Sequence, residues 1–157
     1  MASPFSWPVL VPSALRAPAP VNLGVRLRTM SFETIFQIWL EDSFSHGLPP
    51  EVKAISFNLF EPASFKIKRF GIEIIGAGSF DSKNSDWACD EVWQPEQRQL
   101  EIPADYSGAD WGACLSRMTY LVEKNLASNT AISSTLKSTQ GVGIGFTDGE
   151  LVLLWQA

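Results

Sequence analysis

The hydrophobic residues of the chain follow two different periods, which predict helices in some segments and strands in others. From Phe32 to Leu40 they recur every three or four residues, so they share one face of a helix. In the segments 52–61 and 70–76 they occupy alternate positions, which is typical of half-buried strands. The connection 62–69 is short enough for an antiparallel hairpin or a modest loop.

The middle of the chain is predicted to extend this sheet. Residues 76–86 are rich in glycine, serine and aspartate, so we expect an exposed loop. Residues 87–93 are expected to follow as a third strand, and 98–103 to add a few more sheet residues. The odd positions of the third strand would share one face: Trp87, Cys89, Glu91 and Trp93.

The strongest helical pattern lies in the second half of the chain. Ser107 and Asp110 have the spacing of residues that cap a helix. A continuous apolar stripe follows them, at the positions Trp111, Cys114, Leu115, Met118, Leu121, Val122 and Leu126. A second, shorter helix is predicted over 131–137.

The glycine-rich segment GVGIGFTDGELVLLW, residues 141–155, predicts a hairpin and no nucleotide site. A dinucleotide fingerprint needs the spacing GxGxxG, whereas the third glycine here comes one position early, and no P-loop lysine follows. The glycines instead share one face of a strand: Gly141, Gly143 and Gly145. Asp148-Gly149 suits a type I′ turn into a last strand. The glycine face leaves room for an aromatic ring or a helix, or alternatively for a ligand.

Together these elements predict an α+β fold. A largely antiparallel sheet of about five strands would carry two main amphipathic helices on one face, as a two-layer sandwich. A length of 157 residues, 45% of them hydrophobic, suits one domain, which we place at 30–157. Residues 1–29 hold five of the ten prolines. We expect them to be a flexible extension or an artefact of an upstream start, with Met30 the functional beginning.

The charge of the chain is unevenly distributed. All 17 acidic residues lie at or after Glu33, whereas residues 1–29 carry three arginines. The net charge of -5 therefore divides into +3 for this segment and -8 for 30–157, where nine basic residues accompany the 17 acidic ones. Such acidity disfavours binding to nucleic acid or anionic membranes and suits a basic protein partner. The alternative is that the acidity only maintains solubility.

Residues that could catalyse a reaction or hold a metal do not form a recognisable set. The one histidine, His46, has no neighbouring nucleophile or orienting partner, so a solvated loop residue is favoured. Cys89 and Cys114 lack metal-ligand spacing, and we expect buried, reduced thiols in a cytoplasmic protein. Glu73 and Glu91 could face each other across strands, but strand parity alone names no acid and base. No metal, cofactor or catalytic residue is predicted.

Acidic and aromatic residues are interleaved between residues 81 and 111, and this pattern predicts a surface that binds a protein. Tryptophan offers a large contact area, and carboxylates steer and orient a basic partner, such as a toxin. The expected partner-binding residues are Asp81, Asp86, Trp87, Asp90, Glu91, Trp93 and Asp110. The alternative is that the tryptophans belong to the core and the acids are ordinary loop residues.

The segments SFETIFQIWLEDSF, FGIEIIGAGSFD, DWACDEVW and GVGIGFTDGELVLLWQA give the chain a resemblance to small uncharacterised bacterial cytosolic proteins. The resemblance covers residues 30–157. In size and acidity the chain is also similar to immunity proteins, which neutralise a cognate toxin. This likeness favours a noncatalytic protein-binding domain, such as an immunity-type inhibitor, over an enzyme. The alternatives are an enzyme or small-ligand module with a pocket near the glycine face, and self-association through an exposed strand edge.

Overall fold

The protein is built around a six-stranded sheet with helices on one face. A computed structural model describes residues 30–63 and 70–157, and the elements below lie in the unit Phe32–Ala157. The expected extension 1–29 and residues 64–69 of the predicted connection lie outside the described residues. The α+β fold with a mostly antiparallel sheet is confirmed, with one strand more than expected.

The helices are α1 Phe32–Ser43, α2 Ala104–Ser107, α3 Trp111–Ala127 and α4 Ala131–Lys137. The strands are β1 Ala54–Phe60, β2 Phe70–Ala77, β3 Glu91–Trp93, β4 Gln99–Ile102, β5 Gly141–Phe146 and β6 Val152–Gln156. A 3₁₀ helix, Ser85–Cys89, precedes β3. Among the described helices, none has the length and hydropathy needed to span a bilayer.

The strands lie side by side in the order β3-β2-β1-β5-β6, and β4 pairs with β2 as well. The central pair, β1 and β5, is parallel, and the other pairings among the described strands are antiparallel. Ala54 lies opposite both Ala77 and Gly141 at one end of the sheet, which we call the loop end. Leu59 lies opposite Phe146 near the other end, the far end.

One face of the sheet and the helices enclose the main hydrophobic core. The alternate strand positions predicted to face inward are almost completely buried: Ile55, Phe57, Leu59, Phe70, Ile72, Ile74, Val142 and Ile144. Helix α1 adds Phe36 and Leu40, and α3 adds Met118 and Leu121. The three- and four-residue spacing of the sequence therefore marks the faces of α1 and α3 that cover the sheet.

The second face of the sheet is covered at the loop end by a loop. Residues 78–90, which include the 3₁₀ helix, carry Phe80 and Trp87, whose ring centroids are 5.3 Å apart. Trp87 and the partly buried Phe80 pack with Ile75 and Ala77 in a second hydrophobic cluster. The central strands are therefore buried on both faces.

The glycines of β5 make room for this cover. A Cβ atom on Gly141 would overlap the ring of Phe80, and one on Gly143 would lie 3.1 Å from Leu151 Cδ2. A Cβ atom on Gly145 would overlap the backbone carbonyl of Glu150. The prediction of an aromatic ring over the glycine face is confirmed at Gly141. The space directly beside Gly143 and Gly145 is filled by Leu151 and the Glu150 backbone, and the alternative of a ligand pocket near this face stays a prediction.

The predicted third strand, 87–93, is wrong over its first half. Asn84 Oδ1 accepts a hydrogen bond from the backbone N–H of Asp86 at 3.0 Å, which caps the 3₁₀ helix. Such side-chain bonds to nearby backbone compete with strand pairing. Only Glu91–Trp93 is a strand.

The predicted common face of the third strand is also wrong. The register with β2 shifts between Gly76 and Ala77, where Trp93 and Glu91 are their respective partners. The Trp93 ring packs toward Gly76 and the main core, whereas Glu91 binds Arg98 on the second face. A bulge reverses the alternation of side chains, so residues of equal parity point in opposite directions.

The turn predicted at Asp148-Gly149 lies one residue earlier. Gly149 N–H donates to the carbonyl of Phe146 at 2.9 Å, which makes Thr147 and Asp148 the central residues. Gly149 is not among the described glycines with positive φ, as a type I′ turn with this pair would require. Strand β6 begins only at Val152, after the chain has crossed the glycine face.

Among the described strands, β6 lies at one edge of the sheet. Trp155 lies opposite Val142 and Leu153 opposite Gly143, so Leu154 is an extra residue on β6. Such bulges twist an edge strand away from further pairing. Self-association at this edge stays a prediction.

We expect Gly145→Ala to destabilise the protein by about 1–3 kcal/mol, because the added Cβ would overlap rigid backbone. The matched control is Gly112→Ala in the first turn of α3, where the Cβ would lie 3.4 Å from Asp110 Oδ1. This change should be neutral or stabilise by about 0.5 kcal/mol. Denaturant unfolding measures both, and equal effects of the two changes would contradict the close packing of β5.

Candidate docking surface

Hydrogen bonds hold the backbone of the loop between β2 and β3 and leave its carboxylates at the surface. Asp81 Oδ1 accepts a hydrogen bond from the backbone two residues later at 2.8 Å, and Asn84 Oδ1 accepts one from Asp86. The loop closes where the carbonyl of Asp90 accepts a hydrogen bond from Gly78 N–H at 2.8 Å. Three predicted site residues, Asp81, Asp86 and Asp90, are exposed on this loop.

Trp87 does not belong to the exposed part of the loop. Its side chain is 5% exposed and packs in the second hydrophobic cluster. For this residue the alternative interpretation, a core tryptophan, is the one that the structure supports. Trp87 positions the neighbouring carboxylates because it ties the loop to the sheet.

Trp93 is half-buried at the border of the main core. Its ring is stacked on Phe44, with centroids 6.0 Å apart and planes inclined by 24°. The register shift that brings Trp93 to this side separates it from Glu91. These two predicted site residues are close in sequence but belong to different faces of the sheet.

Arg98 joins Glu91 to Glu73 on the second face. Its Nη1 and Nη2 donate to the two carboxylate oxygens of Glu91 at 2.7 and 2.9 Å. Its Nε and Nη2 donate to Glu73 at 3.3 and 3.1 Å, and Gln94 also accepts a hydrogen bond from Nη1. The two carboxylates therefore share one guanidinium group, and each is occupied as an ion pair. This arrangement does not resemble a catalytic acid and base.

The pKa of Glu73 reflects two opposing effects. Burial of its carboxylate, which is 13% exposed, raises the pKa. Hydrogen bonds from Arg98, Gln99 and Asn58 and the charge of Arg98 outweigh burial, so the pKa lies below its ordinary value of 4.5. The pKa of Arg98 is raised, chiefly by its hydrogen bonds to Glu73. Both groups remain charged at neutral pH.

A groove runs between the end of α1 and the segment that joins β3 to β4. Its volume is about 460 Å³, and it is lined by Asp42, Ser43, Ser45, His46, Gly47, Trp93, Gln94, Pro95, Glu96 and Gln97. Trp39 Nε1 donates to the carbonyl of Gln97 at 2.8 Å, so the two walls are held together. Of the residues predicted to bind a partner, the groove includes Trp93.

Asp110 lies away from the other predicted site residues. Its carboxylate accepts a hydrogen bond from Ala113 N–H at 2.8 Å and caps α3. The adjacent Trp111, 40% exposed, stacks on Phe146 at 4.4 Å, at the far end of the sheet. Strand β1 separates the two ends by roughly 20 Å at about 3.3 Å per residue. A single small contact cannot include both Asp110 and the loop between β2 and β3.

The reactive residues of the described chain are dispersed. Cys114 is buried, and burial raises the pKa of its thiol to about 12. Cys89 is exposed, so the prediction of a buried thiol is wrong there, because the 3₁₀ helix replaces a strand. Within residues 30–63 and 70–157, no three His, Cys, Asp or Glu side chains are grouped as a metal site would need.

Comparisons of the chain with protein-family models, curated proteins and solved structures give no match. The geometry of the site is therefore the basis for a functional proposal.

Sequence reasoning missed the groove and the role of Arg98. The groove combines Asp42 and Ser43 with Glu96, which is more than 50 residues away in the sequence. No local motif therefore predicts it. The sequence signal that indicates the groove is the end of α1 at Asp-Ser, because the last turn of this helix contains no basic residue.

Replacement of Arg98 by methionine should destabilise the protein by about 2 kcal/mol, because it leaves the mostly buried Glu73 carboxylate without its cation. Lys124→Met is the control, since the Lys124–Glu33 pair is exposed and 3.4 Å long. That change should cost about 0.5 kcal/mol or less. Urea unfolding compares the two variants, and a cost as small for Arg98 as for Lys124 would contradict the role of the shared guanidinium.

Acid should weaken the fold partly through Glu73. Because the pKa of Glu73 is lower in the folded protein than its ordinary value of 4.5, its contribution is present above that pH. It is lost as the pH falls through the lowered pKa. Glu73→Gln should therefore flatten the fall in unfolding free energy between about pH 5 and 3. Glu123→Gln, an exposed change on α3, controls for charge. Identical profiles for wild type and Glu73→Gln would exclude this contribution.

Proposed function

We propose that the protein is a noncatalytic binding domain that docks the acidic loop between β2 and β3 onto a basic protein. The observation that carries the proposal is the opposite orientation of the loop's side chains. Trp87 is buried against the sheet while Asp81, Asp86 and Asp90 are exposed. Turns and an inward anchor hold the loop backbone in place before a partner arrives, which reduces the ordering cost of binding.

Charge gives the surface its selectivity. Lys83 is the one basic residue within the loop 78–90, and Arg98 nearby is already paired with Glu73 and Glu91. Carboxylates with few cations among them attract a basic surface and repel an acidic one. An immunity-type role, in which the partner is a basic toxin, agrees with this charge and with the small size of the chain. The proposal includes a cytoplasmic location, and the two free thiols, Cys89 and Cys114, support it.

The test compares two charge-reversed variants with the same change in net charge. Asp86→Lys with Asp90→Lys alters the loop, and Glu123→Lys with Asp148→Lys alters exposed positions on α3 and the last turn. Partners are captured from the parent cell on each variant. Association rates are then measured between about 50 and 500 mM salt, a severalfold change in Debye length.

We expect the loop variant to bind more slowly and with a weaker dependence on salt, because long-range attraction from the loop is reversed. The control variant should retain most of the wild-type association rate. Equal losses in both variants would mean that only total charge matters. A partner that binds all three proteins at one rate, whatever the salt, would refute the proposed surface.

A further inference from the structure

The groove between α1 and the β3–β4 segment is lined by two carboxylates, and its lining also includes His46. Helix α1 ends at Ser43 with no basic residue in its last turn, and Asp42 adds a carboxylate there. The last carbonyl groups of a helix carry partial negative charge, which favours a nearby cation. Glu96 supplies a second carboxylate from the opposite wall, and no lysine or arginine lines the groove.

Ser43 provides a second, independent observation at this place. The residue is 7% exposed and lines the groove. Its Oγ is the one buried side-chain oxygen or nitrogen in the described residues without a hydrogen-bond partner. Buried hydroxyl groups are nearly always hydrogen-bonded. The oxygen is shielded from solvent here, so a donor in the groove satisfies it when the Ser43 side chain turns toward the groove.

Trp93 gives the groove an aromatic side. Its ring is held by Phe44 and packs toward Gly76, yet it remains half-buried and lines the groove. A planar cation can stack on such a ring, and a guanidinium group does so while donating hydrogen bonds to carboxylates. Lysine lacks this planar set of donors.

From these features we infer that the groove binds the guanidinium group of an arginine on the protein partner. In this arrangement Asp42 and Glu96 balance its charge, Ser43 Oγ accepts one N–H, and Trp93 supports its plane. The inference rests on the proposed function, because it identifies an anchor residue of the same basic partner.

The probe is N-acetyl-argininamide, and N-acetyl-citrullinamide is its neutral control of nearly the same shape. Amide NMR spectra of the full chain are recorded at millimolar concentrations of each. The arginine compound should shift the amides of 42–47, Gln94, Glu96 and Gln97 and the indole N–H of Trp93 in a saturable way. The citrulline compound should shift them far less.

Three variants locate the contacts. Asp42→Asn with Glu96→Gln should weaken binding about tenfold, because two charge-assisted hydrogen bonds become neutral. Ser43→Ala should weaken it about threefold, while the melting temperature of the free protein rises or stays constant, because an unpaired buried hydroxyl is removed. Asp148→Asn is the control and should bind as wild type does. The spectra themselves show whether each variant is folded.

Several results would overturn the inference. These are equal shifts with the citrulline compound, shifts confined to the loop 78–90, and undiminished binding by the Asp42→Asn, Glu96→Gln variant. The outcome is separable from the proposed function. If the arginine compound fails in the groove while partner association still depends on Asp86 and Asp90, only the anchor is rejected. If partner association ignores the loop while the arginine compound binds the groove, only the proposed loop surface is rejected.

Discussion

The central strands of the sheet are buried on both faces, whereas the α-helices cover one face. The rest of the structure depends on how the second face is covered. Something other than an α-helix has to cover the second face. Residues 78–90 do so at the loop end with Phe80 and Trp87, and the chain before β6 crosses over Gly143 and Gly145. The glycines of β5 are the condition for both contacts, because larger side chains would hold these segments off the sheet.

The same loop that covers the sheet presents the candidate docking surface, and the two roles support each other. The Trp87 ring of this loop is turned inward against the sheet, so the short carboxylate side chains are left at the surface. Arg98 adds a fixed point, since it joins β2 to β3 through two bidentate ion pairs. Because the loop backbone is held by packing and hydrogen bonds, less of its conformational entropy remains to be lost on binding.

The groove at the end of α1 is a consequence of irregular pairing. The register shift at Gly76 brings Trp93 to the helix side of the sheet, where it meets Phe44 just beyond the end of α1. A regular strand would have placed Trp93 and Glu91 on one face, and the groove would have lost its aromatic wall. The groove gains its polar groups from the end of α1, which has no basic residue in its last turn, and from the Ser43 hydroxyl, which has no hydrogen-bond partner.

The sequence by itself determined the elements with strong periods: α1, α3, β1, β2 and the hairpin of β5 and β6. Period and spacing are local properties, set by 3.6 residues per helical turn and two per strand repeat. Tertiary structure alone decided which tryptophans are buried, that Asp110 lies at the far end from Asp86, and that Arg98 pairs with Glu73, 25 residues away. One bulge reverses which face of the sheet the side chains of β3 point to. The covering of the second face by a loop depends on contacts between segments far apart in the chain. No local pattern carries that information, because these contacts form only when the sheet has assembled.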